Sequence, residues 1–135
     1  NILDLVGDRW SLIIIRDVFI GRNTYTEFLK SPEKISTNVL VDRIKKLREY
    51  ELLGFRKDKI DRKIKYYYLT DMGISLYPIL TEMSLWTKKN FPTLPTHKLA
   101  QETFLDIDKL GIDLHNTKVI DTYTEKREAL FKETL

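Results

Sequence analysis

Basic side chains concentrate in one quarter of this chain, between Ser36 and Thr70. That segment holds ten lysine or arginine residues and five carboxylates, whereas the remaining residues hold 13 and 15. The net charge of the whole chain is only +3, so the positive excess is local. A localised basic surface is typical of proteins that bind a polyanion such as nucleic acid.

The first part of this segment has the pattern of an amphipathic helix, predicted over residues 36–49. Leu40, Ile44 and Leu47 repeat at i, i+4 and i+7 and therefore line one buried face. Amide, ammonium and carboxylate groups on the other faces suit adenine, guanine and cytosine edges, and a valine suits a thymine methyl. A helix start also offers free backbone N–H groups to a phosphate. The predicted DNA contacts on this helix are Ser36, Thr37, Asn38, Val41, Asp42, Lys45 and Lys46.

The second part, residues 55–70, is rich in aromatic and basic residues and predicts a hairpin. Residues 55–60 and 64–69 are expected to pair as strands, with residues 61–63 as the turn. Six basic side chains exceed what is needed to protect an edge strand, so we predict that Arg62 and Lys63 at the tip contact phosphates or the minor groove. The tyrosines at 66–68 fit core packing better than stacking platforms for single-stranded nucleic acid.

Other chemistry has little support in the sequence. His97 and His115 are 18 residues apart and the chain contains no cysteine, whereas metal sites need several closely spaced ligands. Surface positions are expected for both histidines. The five glycines form no phosphate-binding loop, and no serine, histidine and aspartate set has a supporting motif. We therefore expect that the chain is not an enzyme and that it binds neither a cofactor nor a metal ion.

The flanking elements complete a recognisable order. An apolar run at residues 12–15 predicts a buried helix that ends near Gly21. Thr24 and Glu27 have the spacing of a capping box for a short helix, Ser36 is the next cap, and Gly54 is expected to end the helix that follows.

The C-terminal half is predicted to be helical. Thr70 is expected to cap one long helix that continues to about residue 91 and is kinked at Pro78. Pro92 and Pro95 then indicate a linker, followed by two amphipathic segments. The predicted fold is mostly α with a small β-hairpin wing, a winged helix-turn-helix with a C-terminal helical extension.

Several spaced motifs resemble the HxlR-type family of bacterial winged helix-turn-helix regulators, relatives of the MarR proteins. Residues 7–17 read GDRWSLIIIRD and resemble the family opening GGKWTLLILREL. Residues 35–47 are similar to its reading-helix pattern, and residues 67–73 (YYLTDMG) to its wing exit. Leu76, Pro78, Leu80 and Trp86 match the pattern of its last helix. The resemblance covers roughly residues 1–91.

This resemblance implies a cytoplasmic transcriptional regulator that binds a palindromic operator as a homodimer. By position, Arg43 would also contact DNA, and the partner-facing residues of the last helix would be Leu76, Leu80, Met83 and Trp86. Packing within one chain is the other interpretation of those four. The lack of a cysteine gives no support for a thiol switch, and any small-molecule effector is unknown. A winged-helix module that uses its basic face on an acidic protein is the alternative function.

The implied organisation has two parts. Residues 1–91 would form the DNA-binding and dimerisation domain, and residues 92–135 a helical extension. From residue 95 the extension has six basic and eight acidic residues. We expect it to pack on the dimer region or cover an effector pocket, with an independent interaction module as the alternative. No apolar run approaches the roughly 20 residues that span a bilayer, and no signal-peptide pattern is seen, so a cytoplasmic location without membrane contact is expected.

Overall fold

The computed structural model describes residues 3–4 and 7–134. Residues 1, 2, 5, 6 and 135 belong to the predicted segments 1–91 and 92–135 but lie outside the described residues. The fold is mostly helical with one antiparallel hairpin, the predicted winged-helix layout followed by two further helices. The elements are α1 (Arg9–Phe19), α2 (Tyr25–Phe28), α3 (Thr37–Glu49), β1 (Leu53–Lys57), β2 (Lys65–Leu69), α4 (Asp71–Ile74), α5 (Tyr77–Asn90), α6 (Lys98–Leu110) and α7 (Ile112–Thr134).

Helix α1 is the central buried helix. Its cap is Asp8, whose carboxylate accepts hydrogen bonds from the backbone N–H of Trp10 at 2.7 Å and of Ser11 at 3.2 Å. Its side chains from residue 13 to residue 19 are buried except Arg16. The chain leaves the helix through Gly21, whose φ of 107° is the conformation that favours glycine. The predicted helix end near Gly21 is confirmed.

Both predicted caps in the helix-turn-helix region are confirmed. Thr24 accepts a hydrogen bond from the Glu27 N–H at 3.2 Å, and the Glu27 carboxylate accepts one from the Thr24 hydroxyl at 3.1 Å. Ser36 accepts from the Val39 N–H at 3.3 Å and so caps α3. Leu40, Ile44 and Leu47 are at most 1% exposed, which confirms the buried face.

The expectation that Gly54 ends this helix is wrong. Helix α3 ends at Glu49; Glu51 then adopts a φ of 61°, and the Leu52 N–H bonds the Leu47 carbonyl at 2.9 Å. Gly54 lies within β1, where an added Cβ would come within 2.5 Å of the Tyr68 ring. A side chain at this position would therefore have to displace the Tyr68 ring on the neighbouring strand.

The two strands of the hairpin are shorter than predicted, and the turn between them is longer. Strands β1 and β2 pair from Leu53 opposite Leu69 to Lys57 opposite Lys65. Residues 58–64 form the tip, because the Asp58 carboxylate accepts from the backbone N–H of Ile60 at 3.0 Å and of Asp61 at 2.9 Å. Such local side-chain bonds compete with strand pairing.

The prediction of one kinked helix after Thr70 is also wrong. Thr70 caps the four-residue α4 by accepting from the Gly73 N–H at 3.1 Å. A new helix, α5, begins at Tyr77, and Pro78 lies in its first turn. Proline fits a first turn because no intrahelical N–H bond is needed there. The helical segment is therefore interrupted at Ser75 and Leu76, although both keep right-handed helical dihedral angles.

The C-terminal extension packs against the wing. The Tyr123 hydroxyl accepts a hydrogen bond from the Leu69 N–H at 2.7 Å, and an Arg127 N–H donates to the Leu69 carbonyl at 2.9 Å. The Phe131 ring lies 4.8 Å from that of Tyr68. Among the described residues, no helix combines the length and the apolar character that crossing a membrane requires.

An ion-pair network ties α1 to the turn before α3. Arg16 donates to both oxygens of Glu33 at 2.6 and 2.9 Å and to the buried Asp17 at 2.9 Å, and Arg22 also reaches Asp17 at 3.2 Å. The hydrogen bonds from Arg16 lower the pKa of Glu33 from 4.5 to about 2. The Glu33 carboxylate therefore has a lower pKa in the folded chain than in the unfolded chain.

This pKa predicts an acid-sensitive contribution to stability. A lowered folded-state pKa contributes stability above the unfolded value of 4.5, and that contribution is lost as the pH falls towards 2. Glu33→Gln should lower the free energy of unfolding at neutral pH by about 1.5–3 kcal/mol, with a smaller difference at low pH. Urea unfolding of the unaltered chain and of the variant, from low to neutral pH, measures this difference in the free energy of unfolding. Glu82→Gln, an exposed control on α5, should change little, and an equal deficit for Glu33→Gln at all pH values would contradict the assignment.

Candidate nucleic-acid interface

Helix α3 presents an accessible polar face. Leu40, Ile44 and Leu47 pack into the core. The opposite side of the helix therefore faces outward. The predicted contacts on this helix and at its cap are all exposed: Ser36, Thr37, Asn38, Val41, Asp42, Lys45 and Lys46. Val41 is 48% exposed, so its side chain is accessible to a thymine methyl.

Arg43 occupies a different environment from those residues. Its Nε donates to Asp8 at 2.8 Å and its Nη1 to Asp42 at 2.6 Å. Burial acts to raise the pKa of Asp8, but the Ser11 N–H and Arg43 outweigh it and lower that pKa. Arg43 therefore connects α3 to the first turn of α1, and a DNA contact by this side chain stays a prediction.

The end of α3 and the hairpin form one continuous basic surface. The Arg48 guanidinium lies 4.3 Å from the centre of the Phe55 ring, and the Lys65 ammonium lies 4.8 Å from the same centre. An open groove of about 470 Å³ separates α3 from β1 and is lined by Lys45, Arg48, Glu49, Leu53, Gly54 and Phe55. Arg48 and Lys65 are not among the predicted contacts, although both belong to the basic segment.

The wing tip is ordered by Asp58. Besides two backbone N–H groups, its carboxylate accepts from the Tyr66 hydroxyl at 2.9 Å, and its carbonyl accepts from Arg62 at 3.2 Å. The Asp61 and Ile60 N–H groups are the main causes that lower the pKa of Asp58. Arg62 and Lys63 are exposed at the tip. Ile60 beside them is 94% exposed, a feature that the sequence analysis missed.

The tyrosines of β2 are packed, as the sequence analysis favoured. Tyr67 is 1% exposed and lies edge-on to Tyr25 at 5.4 Å. The Tyr68 ring faces Phe131, and Tyr66 bonds Asp58. The Tyr67 ring is therefore inaccessible to single-stranded bases, and one side of the Tyr68 ring is covered by Phe131.

The four residues predicted at a dimer interface divide into two pairs. Leu76 is 7% exposed, and Leu80 is partly buried against the same core. Met83 is 50% and Trp86 61% exposed. Ile79 and Phe91 extend this exposed apolar side of α5 and its end, so the accessible stripe is shifted from the predicted one.

The expectation that both histidines lie on the surface is wrong for His115, which is only 3% exposed. Its Nδ1 lies 2.6 Å from Asp106 and its Nε2 lies 2.9 Å from the Tyr77 hydroxyl. His115 thus links α7 to α6 and α5. Spacing along the sequence could not reveal this, because the Tyr77 partner is 38 residues away.

Comparisons with known proteins agree with this geometry. YdeP of Bacillus subtilis (strain 168), an HTH-type transcriptional regulator, is 29% identical over 90 residues, covering 64% of this chain and 68% of its own. The regulator YodB of the same strain is 30% identical over 83 residues, covering 61% and 73%. The crystal structure of PA1607 aligns with a TM-score of 0.61 and 32% identity, covering 70% of this chain and 67% of its own.

Two further solved structures align with this chain, and one of them covers more of its C-terminal part. The reduced form of YodB from B. subtilis aligns with a TM-score of 0.57 and 26% identity, covering 69% of this chain and 91% of its own. The repressor AdcR from Streptococcus pyogenes, at 19% identity and a TM-score of 0.55, shares the fold over 83% of each chain. That share is large enough to include part of the C-terminal helices.

The family assignment rests on most of the chain. The family model for HxlR-like helix-turn-helix proteins matches residues 5–94, which include α1 to α5 and the hairpin. YdeP and YodB are both HTH-type transcriptional regulators by name. The chain belongs to the HxlR-like helix-turn-helix family of transcriptional regulators.

Proposed function

We propose that this chain binds double-stranded DNA in a sequence-specific manner, as a homodimer on a palindromic operator. Helix α3 enters the major groove, and the wing contacts the backbone or the minor groove. The observation that carries the proposal is the exposed face of α3, which continues through Arg48 and Lys65 into the basic hairpin. Amide and ammonium groups on such a helix match base edges, and the lysines and arginines around them match phosphates.

The homodimer is supported by the exposed apolar side of α5. Ile79, Met83 and Trp86 are each at least half exposed, and a contiguous apolar surface of this kind is typical of an interaction site. Leu76 and Leu80 pack in their own core, so their contribution is to position the helix. In a twofold dimer on one duplex, the two reading helices should be about 34–36 Å apart, one turn of DNA.

A selection from random duplexes tests the proposal directly. We expect enrichment of a palindromic site, with an affinity that falls steeply as salt rises because bound phosphates release counterions. Failure to enrich any duplex, or binding that is independent of salt, would contradict it. The relatives are regulators and do not favour the alternative of an acidic protein partner for this basic face.

Two substitutions should separate base contacts from phosphate contacts. Asn38→Ala should relax the sequence preference at one position, at a cost of about 1–3 kcal/mol on the selected site. Lys63→Ala should weaken binding to all duplexes alike and reduce the salt slope by about 1. Titrations of the selected duplex and of a scrambled duplex at several salt concentrations measure both effects. The same specificity ratio for Asn38→Ala as for the unaltered chain would argue against a base contact there.

Regulation by thiol oxidation has no basis in these residues. Solved structures of YodB include a diamide-treated and a quinone-bound form, whereas the 135 residues of this chain contain no cysteine. Any signal that these residues receive therefore acts through another chemical group.

A further inference from the structure

One apolar side chain lies fully outside the core, at the tip of the wing. Ile60 is 94% exposed, the highest value for a large apolar side chain among the described residues. The basic side chains next to it in the sequence, Lys59, Arg62 and Lys63, are exposed as well. Because Ile60 takes no part in the packing of the chain, its side chain is available to a partner molecule.

Hydrogen bonds along the tip hold this side chain in one place. The Asp58 carboxylate accepts from the backbone N–H groups of Ile60 at 3.0 Å and Asp61 at 2.9 Å. The Asp61 carboxylate accepts from the Lys63 N–H at 3.1 Å, and its carbonyl accepts from the Ile64 N–H at 3.0 Å. The Asp58 N–H donates to the Ile64 carbonyl at 2.9 Å and closes the turn. A preorganised turn loses little conformational freedom when it binds.

The charges around Ile60 match a groove of DNA. Lys59, Arg62 and Lys63 flank it, whereas the carboxylates of Asp58 and Asp61 accept N–H groups of the tip itself. The minor groove places base edges between two rows of phosphates, and isoleucine is one of the apolar side chains that proteins insert there. A second copy of the tip would bring like charges together and be repelled.

The length of the hairpin fits the spacing between two grooves. Strand β1 begins at Leu53, close to the end of α3 at Glu49, and has five residues. At about 3.3 Å per residue the strand is about 16 Å long. A major groove and the next minor groove are half a turn apart, about 17–18 Å along the DNA axis. With α3 in the major groove, the tip is therefore far enough from α3 to reach the neighbouring minor groove.

We propose that Ile60 enters this minor groove and makes the wing prefer A·T to G·C pairs there. This inference rests on the proposed function and adds a second source of specificity to it. In the minor groove a G·C pair carries the 2-amino group of guanine, which an A·T pair lacks. An isoleucine packed at that position would cover this donor without offering an acceptor, which is unfavourable. The wing would thus discriminate between base pairs without a hydrogen bond of its own.

Substitution of base pairs in the selected duplex tests the inference. We expect A·T pairs to be enriched within half a turn of the site read by α3. A change of such a pair to G·C should weaken binding about tenfold, and a change to inosine·C should restore it to within about twofold. Inosine·C lacks the 2-amino group but has the major-groove pattern of G·C, so recovery assigns the effect to the minor groove. Equal affinity for A·T and G·C throughout these flanks would overturn the inference.

Substitutions of Ile60 assign the preference to this side chain. Ile60→Ser should reduce the preference for A·T from about tenfold to within about twofold, whereas Ile60→Met, which remains apolar, should keep most of it. The salt dependence of Ile60→Ser should keep its slope, since no charge is lost. Leu105→Ser on α6 is the matched control, because Leu105 is 68% exposed and lies outside the basic segment. It should leave both the affinity and the preference unchanged.

The outcomes separate this inference from the proposed function. If a palindromic duplex is selected and Ile60→Ser binds it with the preference of the unaltered chain, only the inference is overturned. If no duplex is selected, the proposed function and the inference fail together. The variant keeps the backbone N–H that Asp58 accepts and removes an exposed side chain, so it should fold, which thermal unfolding checks.

Discussion

Lys45→Glu should reduce the affinity of this chain for its selected duplex by about 100-fold. A single direct contact of this kind accounts for about 1–3 kcal/mol, and 1.4 kcal/mol is a factor of ten. Charge reversal adds repulsion from the phosphates. Lys45 is exposed on α3 and also lines the groove between α3 and β1, so it lies where a base edge and a phosphate would both be near.

The control for this experiment is Lys109→Glu on α6, an exposed lysine outside the basic segment. It makes the same change in net charge, and its affinity should stay within about twofold of the unaltered chain. Fluorescence anisotropy on the selected duplex measures both variants, and thermal unfolding should show that neither is destabilised. Equal losses for the two would mean that only net charge matters, which would contradict a reading role for α3.

Tyr123→Ala should lower the free energy of unfolding by about 3–5 kcal/mol, the range for removing a large buried aromatic side chain. Tyr123 is 7% exposed, packs edge-on against Phe19 at 5.2 Å and accepts the Leu69 N–H. Tyr123→Phe keeps the ring and removes only the acceptor, so a smaller loss of about 1–3 kcal/mol is expected. Urea unfolding of the two variants separates packing from hydrogen bonding.

Tyr50→Ala provides the matched control for this prediction. Tyr50 is 46% exposed, and its removal should change the free energy of unfolding by no more than about 0.5 kcal/mol. If Tyr123→Ala behaved like Tyr50→Ala, the extension would be a separate module that does not stabilise the wing. A two-step unfolding curve for the unaltered chain would point the same way, because it would show that the extension and the body unfold independently.

The parts of this fold that depend on residues close together in the sequence could be predicted from the sequence. The caps at Thr24 and Ser36 depend on residues three positions away. The buried face of α3 follows from helical periodicity, which one helix displays by itself. These signals, in their order along the chain, were enough for the winged-helix layout and for the outward side of α3.

The errors arose where distant residues decide the outcome. Gly54 is explained by the Tyr68 ring on the partner strand, and His115 is buried by groups on α5 and α6. The ion pair between Arg43 and Asp8, which was not predicted, spans 35 positions, while the DNA contact of Arg43 stays a prediction. No pattern along the sequence reports such contacts. At Pro78 both a kink and a helix start obey local rules, and the structure has the start, after an interruption at Ser75 and Leu76.

The contacts made by the extension also determine how strand β2 meets other molecules. A two-stranded sheet has two outer edges, and unpaired backbone groups along an edge invite another chain to add a strand. On the outer side of β2 the Tyr67 N–H bonds the Asn23 carbonyl at 2.7 Å, and both backbone groups of Leu69 are bonded by side chains of α7. Helix α7 therefore covers part of the outer edge of β2, where its side chains take up backbone groups that could otherwise pair with a strand of another molecule.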